Sequence, residues 1–161
     1  MSSATTLTAR IGFIGLGAMG APMARNLVAK GFAVRGFDMR AAALEELVAA
    51  GGERAQDAAE VADGADCLVL MVVNAAQAAS VLFEAGALAR LPAGAAVVLM
   101  ATCPPGAVAA LAERVAASGR HLVDAPVSGG VVGARAGTLT IMAACPRDVF
   151  DRVRPLLAAM G

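Results

Sequence analysis

The sequence predicts an α/β fold built on a doubly wound, mainly parallel β-sheet. Two observations support this class. Short apolar runs rich in Val, Ile and Leu alternate along the chain with Ala-rich segments of helical period. The apolar runs are continuous, as in strands that are buried on both faces of a parallel sheet between crossover helices. With 161 residues, the chain has the length of one ordinary domain with a well-buried core.

The apolar runs are predicted as strands because each is short and ends near glycine or a polar residue. The predicted strands are residues 11–15 (IGFIG), 33–37 (AVRGF), 67–73 (CLVLMVV), 96–100, 121–123 and 139–144. The residues before the first strand, 1–10, are expected to form a disordered or extended tail. The domain itself is expected to span residues 11–161.

The segments between these runs carry apolar residues at helical spacing and are therefore predicted as crossover helices. They are residues 20–30, 41–50, 76–85 and 106–117, followed by a closing helix from about Arg147. We expect Pro155 to interrupt that closing helix, because its ring clashes with the preceding turn.

The charge balance argues against a polymeric partner. The chain has 13 basic and 13 acidic residues, so its formal net charge is zero, and nothing suggests a nucleic acid or an anionic membrane surface. The absence of Trp and Tyr makes stacking platforms for single-stranded nucleic acid improbable. With one histidine and three scattered cysteines, the sequence predicts no metal site.

A membrane span is the alternative raised by the uncharged run at residues 91–112. Pro104 and Pro105 argue against it, since they would break a helix in the middle of the span. The first ten residues lack the apolar core of a signal peptide, and the cysteines do not form a disulfide framework. We therefore expect a cytoplasmic protein.

A glycine turn follows the first predicted strand. Gly15, Gly17 and Gly20 match the pattern G-x-G-x-x-G between a strand and a helix, which indicates a Rossmann-type dinucleotide-binding domain. The first glycine would make the turn, the second would let the backbone approach a diphosphate, and the third would let the helix pack on the strand. The diphosphate would lie at the helix N-terminus, against the backbone of Ala18 and Met19. A glycine turn without a ligand is the alternative.

Asp38 ends the second predicted strand at the spacing expected for a carboxylate that binds the adenosine ribose hydroxyls. It favours NAD, because the 2′-phosphate of NADP would face a like charge. Arg40 could offer a guanidinium to that phosphate, so NADP is the less favoured alternative. FAD and S-adenosylmethionine sites can begin in the same way.

Later strand ends supply further candidates, because ligands bind at the carboxyl ends of strands in open α/β sheets. Val73 and Asn74 are predicted to contact the dinucleotide, although Asn74 suits a helix N-cap equally well. Thr102 could hydrogen-bond the ribose on the nicotinamide side. Cys103 and His121 are interpreted as structural residues.

The run DAPVSGGVVGARAGTL, residues 124–139, carries the most specific signal. Together with IGFIGLGAMG it resembles the β-hydroxyacid dehydrogenases, the family of 3-hydroxyisobutyrate dehydrogenase, in which such a run binds the substrate. The resemblance implies an oxidoreductase that transfers a hydride between NAD and a small 2- or 3-hydroxy acid. Ser128, Gly129 and Gly130 would then offer a hydroxyl and unshielded amides to the substrate carboxylate. A flexible hairpin loop is the alternative for this run.

Departures from the family pattern limit what the resemblance implies. The family commonly has S-T-I-S-P where this chain has ATCPP at residues 101–105, so only the threonine role transfers. Residues 71–77, MVVNAAQ, resemble the L-threonate dehydrogenase branch.

The catalytic lysine of the family lies at the start of an all-helical second domain, and the only lysine here is Lys30. We therefore expect no catalytic residue in this chain, a missing helical domain, and an apolar face that drives formation of a homo-oligomer. A non-catalytic NAD-sensing module is the alternative function.

Overall fold

The computed structural model describes residues 9–161, which form one six-stranded parallel sheet with helices on both faces. The strands of this sheet are β1 (Arg10–Ile14), β2 (Ala33–Phe37), β3 (Glu53–Arg54), β4 (Cys67–Leu70), β5 (Ala96–Leu99) and β6 (His121–Asp124). Their order is β3-β2-β1-β4-β5-β6, so the winding direction reverses between β1 and β4. The predicted doubly wound parallel sheet is confirmed.

The described part of the chain contains eight α-helices, six of them in the crossover segments and two after β6. They are α1 (Gly20–Ala29), α2 (Ala41–Ala49), α3 (Ala58–Ala62), α4 (Ala75–Ala79), α5 (Ala87–Arg90), α6 (Pro105–Ala117), α7 (Gly130–Ala136) and α8 (Arg147–Ala158). The end of α4 widens into a π-helical segment, Ser80–Glu84. None of the helices in residues 9–161 combines the length and the apolar character needed to cross a bilayer.

The sheet separates two apolar cores, and neighbouring strand residues alternate between them. Along β4, Val69 packs with Met23 and Leu27 of α1, whereas Leu68 packs on the opposite side. Helices α1, α2, α7 and α8 cover the first face, and α3 to α6 cover the second. Both faces of the central strands are therefore buried, which explains their continuous apolar sequence.

The residues after β6 were predicted less well. The strand expected at residues 139–144 does not join the parallel sheet. Instead β8 (Thr140–Ile141) pairs antiparallel with β7 (Val127–Ser128), and Ala144 forms an isolated antiparallel bridge with Asp124. The chain therefore runs back along the edge strand β6, a direction that the apolar pattern alone does not indicate.

The predicted interruption at Pro155 is wrong, since α8 continues to Ala158. Pro155 is exposed, so the carbonyl of Asp151, which loses its helical donor, can be hydrated. The tail predicted for residues 1–10 lies outside the described residues as far as position 8, and Arg10 is the first residue of β1.

One side-chain contact ties α1 to α7. The Nδ2 of Asn26 donates a hydrogen bond of 2.8 Å to the carbonyl oxygen of Ala134. We predict that Asn26→Ala lowers the free energy of unfolding by about 1–2 kcal/mol, because the partly buried carbonyl loses its donor. Urea denaturation of both proteins measures this difference.

Arg25→Ala is the matched control, because it introduces the same helix former on the same helix. Arg25 is exposed and has no hydrogen-bond partner among residues 9–161, so its replacement should change stability by less than about 0.5 kcal/mol. Equal effects of the two changes would show that the contact between α1 and α7 contributes nothing.

Candidate dinucleotide site

The parallel sheet brings most of the predicted site residues to one edge. Because all six strands run in the same direction, their carboxyl ends lie together, and β1 lies between β2 and β4. The glycine turn follows β1, and Asp38 follows β2. Val73 and Asn74 come after β4, and Thr102 comes after β5. The reversal of strand order beside β1 leaves the crevice in which open α/β sheets bind their ligands.

Two glycines of the turn are required by the packing of the protein itself. Gly15 has a φ of +95°, and a Cβ on it would overlap the carbonyl oxygen of Met71. A Cβ on Gly20 would overlap the carbonyl oxygen of Gly15 and lie 3.3 Å from the Cε1 of Phe13. These glycines therefore allow β1 to turn into α1 next to β4.

Gly17 has no such explanation within the described residues. Its φ is not positive, and apart from Gly17 and its two chain neighbours no heavy atom of the described residues lies within 4 Å of the position of a Cβ. The backbone N–H groups of Gly17, Ala18 and Met19 have no hydrogen-bond partner among residues 9–161. No side chain of the described residues caps α1, and the first turn of the helix has no acidic residue. Open space above unpaired amides at a helix N-terminus fits a bound diphosphate.

Asp38 is fixed by hydrogen bonds beside this turn. Its Oδ2 accepts from the backbone N–H of Leu16 at 2.8 Å, and its Oδ1 accepts from the backbone N–H of Arg40 at 2.9 Å. The Nε of Arg40 also donates to Oδ1, at 3.2 Å. The side chain of Asp38 is only 14% exposed. The carboxylate is therefore already paired with hydrogen-bond donors. A simple repulsion of the NADP 2′-phosphate would assume an isolated carboxylate.

The environment of Asp38 keeps it ionised. Burial alone would raise its pKa, but hydrogen bonds from the amides of Arg40 and Leu16, with the Arg40 guanidinium, outweigh burial and lower the pKa below its ordinary value. The sequence suggested Arg40 only as a partner for a phosphate. In the structure its Nη2 donates to the carbonyl oxygen of Leu16 at 2.8 Å, so both polar backbone groups of Leu16 are bound.

The residues after β4 and β5 lie at the rim of the crevice. Asn74 is the N-cap of α4, where its Oδ1 accepts from the N–H of Gln77 at 2.9 Å, in agreement with the alternative role considered for it. Val73 is 77% exposed, and its N–H donates to the Oε1 of Gln77. Thr102 is exposed in the loop between β5 and α6.

The run at residues 124–139 is more ordered than a flexible hairpin loop. Ser128 ends β7 opposite Thr140, outside the six-stranded sheet. Gly129 and Gly130 have φ values of +133° and +61° and lead into α7. All three residues are exposed. The sequence did not reveal α7, because its glycines and valines are typical of a loop.

The other reactive side chains do not form a catalytic pair in the described residues. Burial and the nearby charge of Asp124 raise the pKa of the Cys103 thiol, which disfavours a nucleophilic thiolate. His121 begins β6 at the amino edge of the sheet, away from the glycine turn. Lys30 caps the C-terminal end of α1, also at that opposite edge.

The sheet order, the glycine turn and the carboxylate after β2 define a Rossmann-type dinucleotide-binding domain. Residues 10–161 match the model of the family described as the NAD binding domain of 6-phosphogluconate dehydrogenase. The chain belongs to this family of NAD-binding domains, which confirms the predicted fold and NAD as the predicted cofactor.

The similar proteins are hydroxy acid dehydrogenases. L-threonate dehydrogenase of Cupriavidus necator is 40% identical over 156 residues, which are 96% of this chain and 52% of that protein. 2-(Hydroxymethyl)glutarate dehydrogenase of Eubacterium barkeri is 40% identical over 153 residues, 94% of this chain and 51% of that protein. This chain therefore spans about half the length of these relatives.

A solved structure agrees with this relationship. The 3-hydroxyisobutyrate dehydrogenase of Mycobacterium tuberculosis, solved with L-serine, has a TM-score of 0.92 and is 32% identical. The match covers 96% of this chain and 53% of that chain. The resemblance inferred from the glycine motifs is therefore confirmed at the level of the family.

The hydrogen bonds of Asp38 generate a pH prediction. Because its pKa is lower in the folded chain than the ordinary value of 3.8, the ionised carboxylate stabilises the fold above about pH 4. That contribution is lost as the pH falls through the lowered pKa. We expect Asp38→Asn to destabilise the chain by about 1–2 kcal/mol at pH 7, through weakened hydrogen bonds.

The difference between the two proteins should shrink as the pH falls from 4 toward 2. Urea denaturation at several pH values measures it, and Asp148→Asn on the first turn of α8 provides a control at another acidic residue. A difference that stays constant down to pH 2 would contradict the assignment.

Proposed function

We propose that this chain is the cofactor-binding half of a dehydrogenase that transfers a hydride between NAD and a small 2- or 3-hydroxy acid. The relatives are named for hydroxy acids, which supports this substrate class. Because the match covers about half of each relative, we propose that the complete reaction also depends on residues of the other half. The alternative of a non-catalytic NAD-sensing module is not favoured, because the sequence also carries the run that resembles a substrate-binding motif.

Gly17, which the packing of the protein does not require to be a glycine, is the main support for this function. With Ala18 and Met19 it presents unpaired amides to open space, and we assign these three residues to the diphosphate of NAD. Asp38 would accept from a hydroxyl of the adenosine ribose through Oδ2, which retains one lone pair beyond the one used by Leu16, whereas both lone pairs of Oδ1 are used by Arg40. When bound, NAD supplies the nicotinamide carbon that accepts or returns the hydride.

Val73, Asn74 and Thr102 are assigned to the part of the crevice nearer the nicotinamide. The exposed side chain of Val73 offers an apolar surface, and Thr102 offers a hydroxyl to the second ribose. Because the Oδ1 of Asn74 caps α4, the Nδ2 of this residue and its backbone are the groups left to contact the cofactor.

Ser128, Gly129 and Gly130 are assigned to the carboxylate of the substrate. Their exposure and the lack of Cβ atoms on the two glycines support a close approach of an anion to the backbone. The hydroxyl of Ser128 would orient that carboxylate so that the carbinol carbon faces the nicotinamide.

The acid or base for the reaction is proposed to lie in the part of the relatives that this chain does not cover. Lys30, the only lysine of the sequence, lies at the far end of α1 from the glycine turn. The helical domain that the resemblance implies would supply the missing lysine and close over the nicotinamide.

We also propose a cellular compartment and self-association for this chain. The three free cysteines support a reducing compartment, and so the cytoplasm. The exposed apolar side chains of Val132 and Met142, which are 82% and 55% exposed, support self-association of the chain.

We predict that Gly17→Ala strongly weakens NAD binding but leaves the fold intact. The new methyl group would meet open space in the protein and would collide only with a bound diphosphate. The affinity for NAD should fall at least about 100-fold, since the cofactor phosphates lose their approach to the amides. Calorimetric titration measures binding, and urea denaturation measures stability.

Gly20→Ala is the matched control, because its methyl group would overlap the Gly15 carbonyl oxygen. That change should cost about 3 kcal/mol or more of stability, since backbone atoms would have to move. Unchanged NAD affinity in a folded Gly17→Ala protein would remove the cofactor role of this turn.

We further predict that the 161-residue chain binds NAD but oxidises hydroxy acids at least about 100-fold more slowly than the full-length relative from Cupriavidus necator. A positioned general acid or base contributes about 10² to 10⁴ in rate, and we have assigned none at the site among residues 9–161. NADH absorbance is measured with L-threonate, 3-hydroxyisobutyrate and L-serine. Comparable turnover would show that a residue such as Cys103 acts as the acid or base.

A further inference from the structure

Arg40 contacts two other residues beside the glycine turn, Asp38 and Leu16. We propose that Arg40 is a positioning residue: its guanidinium holds the Asp38 carboxylate and the Leu16 peptide in the geometry that NAD requires, without itself contacting NAD. This inference rests on the cofactor site proposed above.

Four hydrogen bonds join Leu16, Asp38 and Arg40 in a closed circuit. Leu16 donates its N–H to one oxygen of Asp38, and Arg40 donates its N–H and its Nε to the other. The Nη2 of Arg40 donates to the carbonyl oxygen of Leu16, which closes the circuit. Asp38 alone could fix only the N–H of Leu16, so the carbonyl side depends on Arg40.

The position of Leu16 explains why this circuit matters for the cofactor. Leu16 lies between Gly15 and Gly17, two residues whose backbones have unusual conformational freedom. Its own side chain is buried, so the peptide is held from inside by packing and from outside by Arg40 and Asp38. Fixing the turn before NAD arrives reduces the entropy lost on binding.

The geometry requires a guanidinium rather than any cation. Nε reaches Asp38 at 3.2 Å and Nη2 reaches the Leu16 carbonyl at 2.8 Å, so two nitrogens of one planar group serve two acceptors. The single ammonium of a lysine has no fixed pair of donor directions. Charge alone would therefore not replace Arg40.

The same contacts bear on the choice between NAD and NADP. Arg40 lines a cavity of about 420 Å³ together with Gly17, Arg25, Glu46 and Arg135. Although the arginines make the cavity attractive to an anion, Arg40 is already bound to Asp38 and Leu16. Arg40 has three side-chain N–H groups outside the circuit, but a 2′-phosphate that bound them would compete with the Asp38 carboxylate, of like charge, for the same guanidinium. This competition favours NAD.

A double-mutant cycle in NAD binding tests the proposal. Calorimetry gives the affinity of the wild-type chain, of Arg40→Gln, of Asp38→Asn and of the double variant. We expect Arg40→Gln to lower NAD affinity about tenfold in the wild-type background and less than about threefold in the Asp38→Asn background, because coupled residues are not additive. Thermal denaturation checks that each variant is folded.

Arg40→Lys separates position from charge. It should lose about as much NAD affinity as Arg40→Gln, and the amide of Leu16 should lose protection from hydrogen exchange in both variants. Arg25→Gln is the matched control, since it removes the same charge from the same cavity, whereas the hydrogen bonds to Asp38 and Leu16 come from other residues. It should lower NAD affinity less than Arg40→Gln does, and by the same factor in the wild-type and Asp38→Asn backgrounds, because Arg25 is not part of the circuit.

Three outcomes would overturn the positioning role of Arg40. Full affinity in Arg40→Lys, additive losses in the cycle, or an equal loss in Arg25→Gln would overturn the positioning role and leave the cofactor site standing. A tighter binding of NADP than of NAD by the wild-type chain would overturn the competition argued for Arg40. Failure of the folded wild-type chain to bind NAD would overturn both the proposed function and this inference.

Discussion

The close contact between Gly15 and Gly20 is the constraint on which the carboxyl edge of the sheet depends. β1 is flanked by β2 and β4, and its chain has to leave the sheet between them and enter α1 at once. A Cβ on either glycine would overlap a carbonyl oxygen of the neighbouring backbone. With both positions bare, α1 begins directly above the sheet, and its first amides face the crevice instead of a capping side chain.

The burial of both sheet faces explains which elements the sequence could predict. In β4 and β5 every residue is buried, so the apolar runs at Cys67–Leu70 and Ala96–Leu99 stand out from their surroundings. β3 consists of two exposed residues, Glu53 and Arg54, and carries no apolar signal. α7 was missed because its packing partners are distant in sequence: Ala134 is buried against a core that the helix alone does not encode.

The candidate site shows the same division between local and distant information. The spacing from the glycine turn to Asp38 was predictable, because it follows from the length of one helix and one strand. The partners of Asp38 were not, since the hydrogen bond from Leu16 spans 22 positions and depends on how β1 and β2 align. The short D-x-R spacing from Asp38 to Arg40 is a signal in the sequence, but it is equally compatible with a free guanidinium.

The two glycine motifs are also connected through the fold. α1 begins at the dinucleotide turn, and α7 begins at Gly130, directly after the exposed Ser128. Asn26 joins the two helices, and a Cβ on Gly137, which has a left-handed conformation at the end of α7, would lie 3.4 Å from the Nδ2 of the same side chain. A displacement of α7 would therefore be transmitted to α1 and to the amides at its start. The glycine turn and the run at residues 124–139 are thus joined through one packed helix pair, which fixes their relative position.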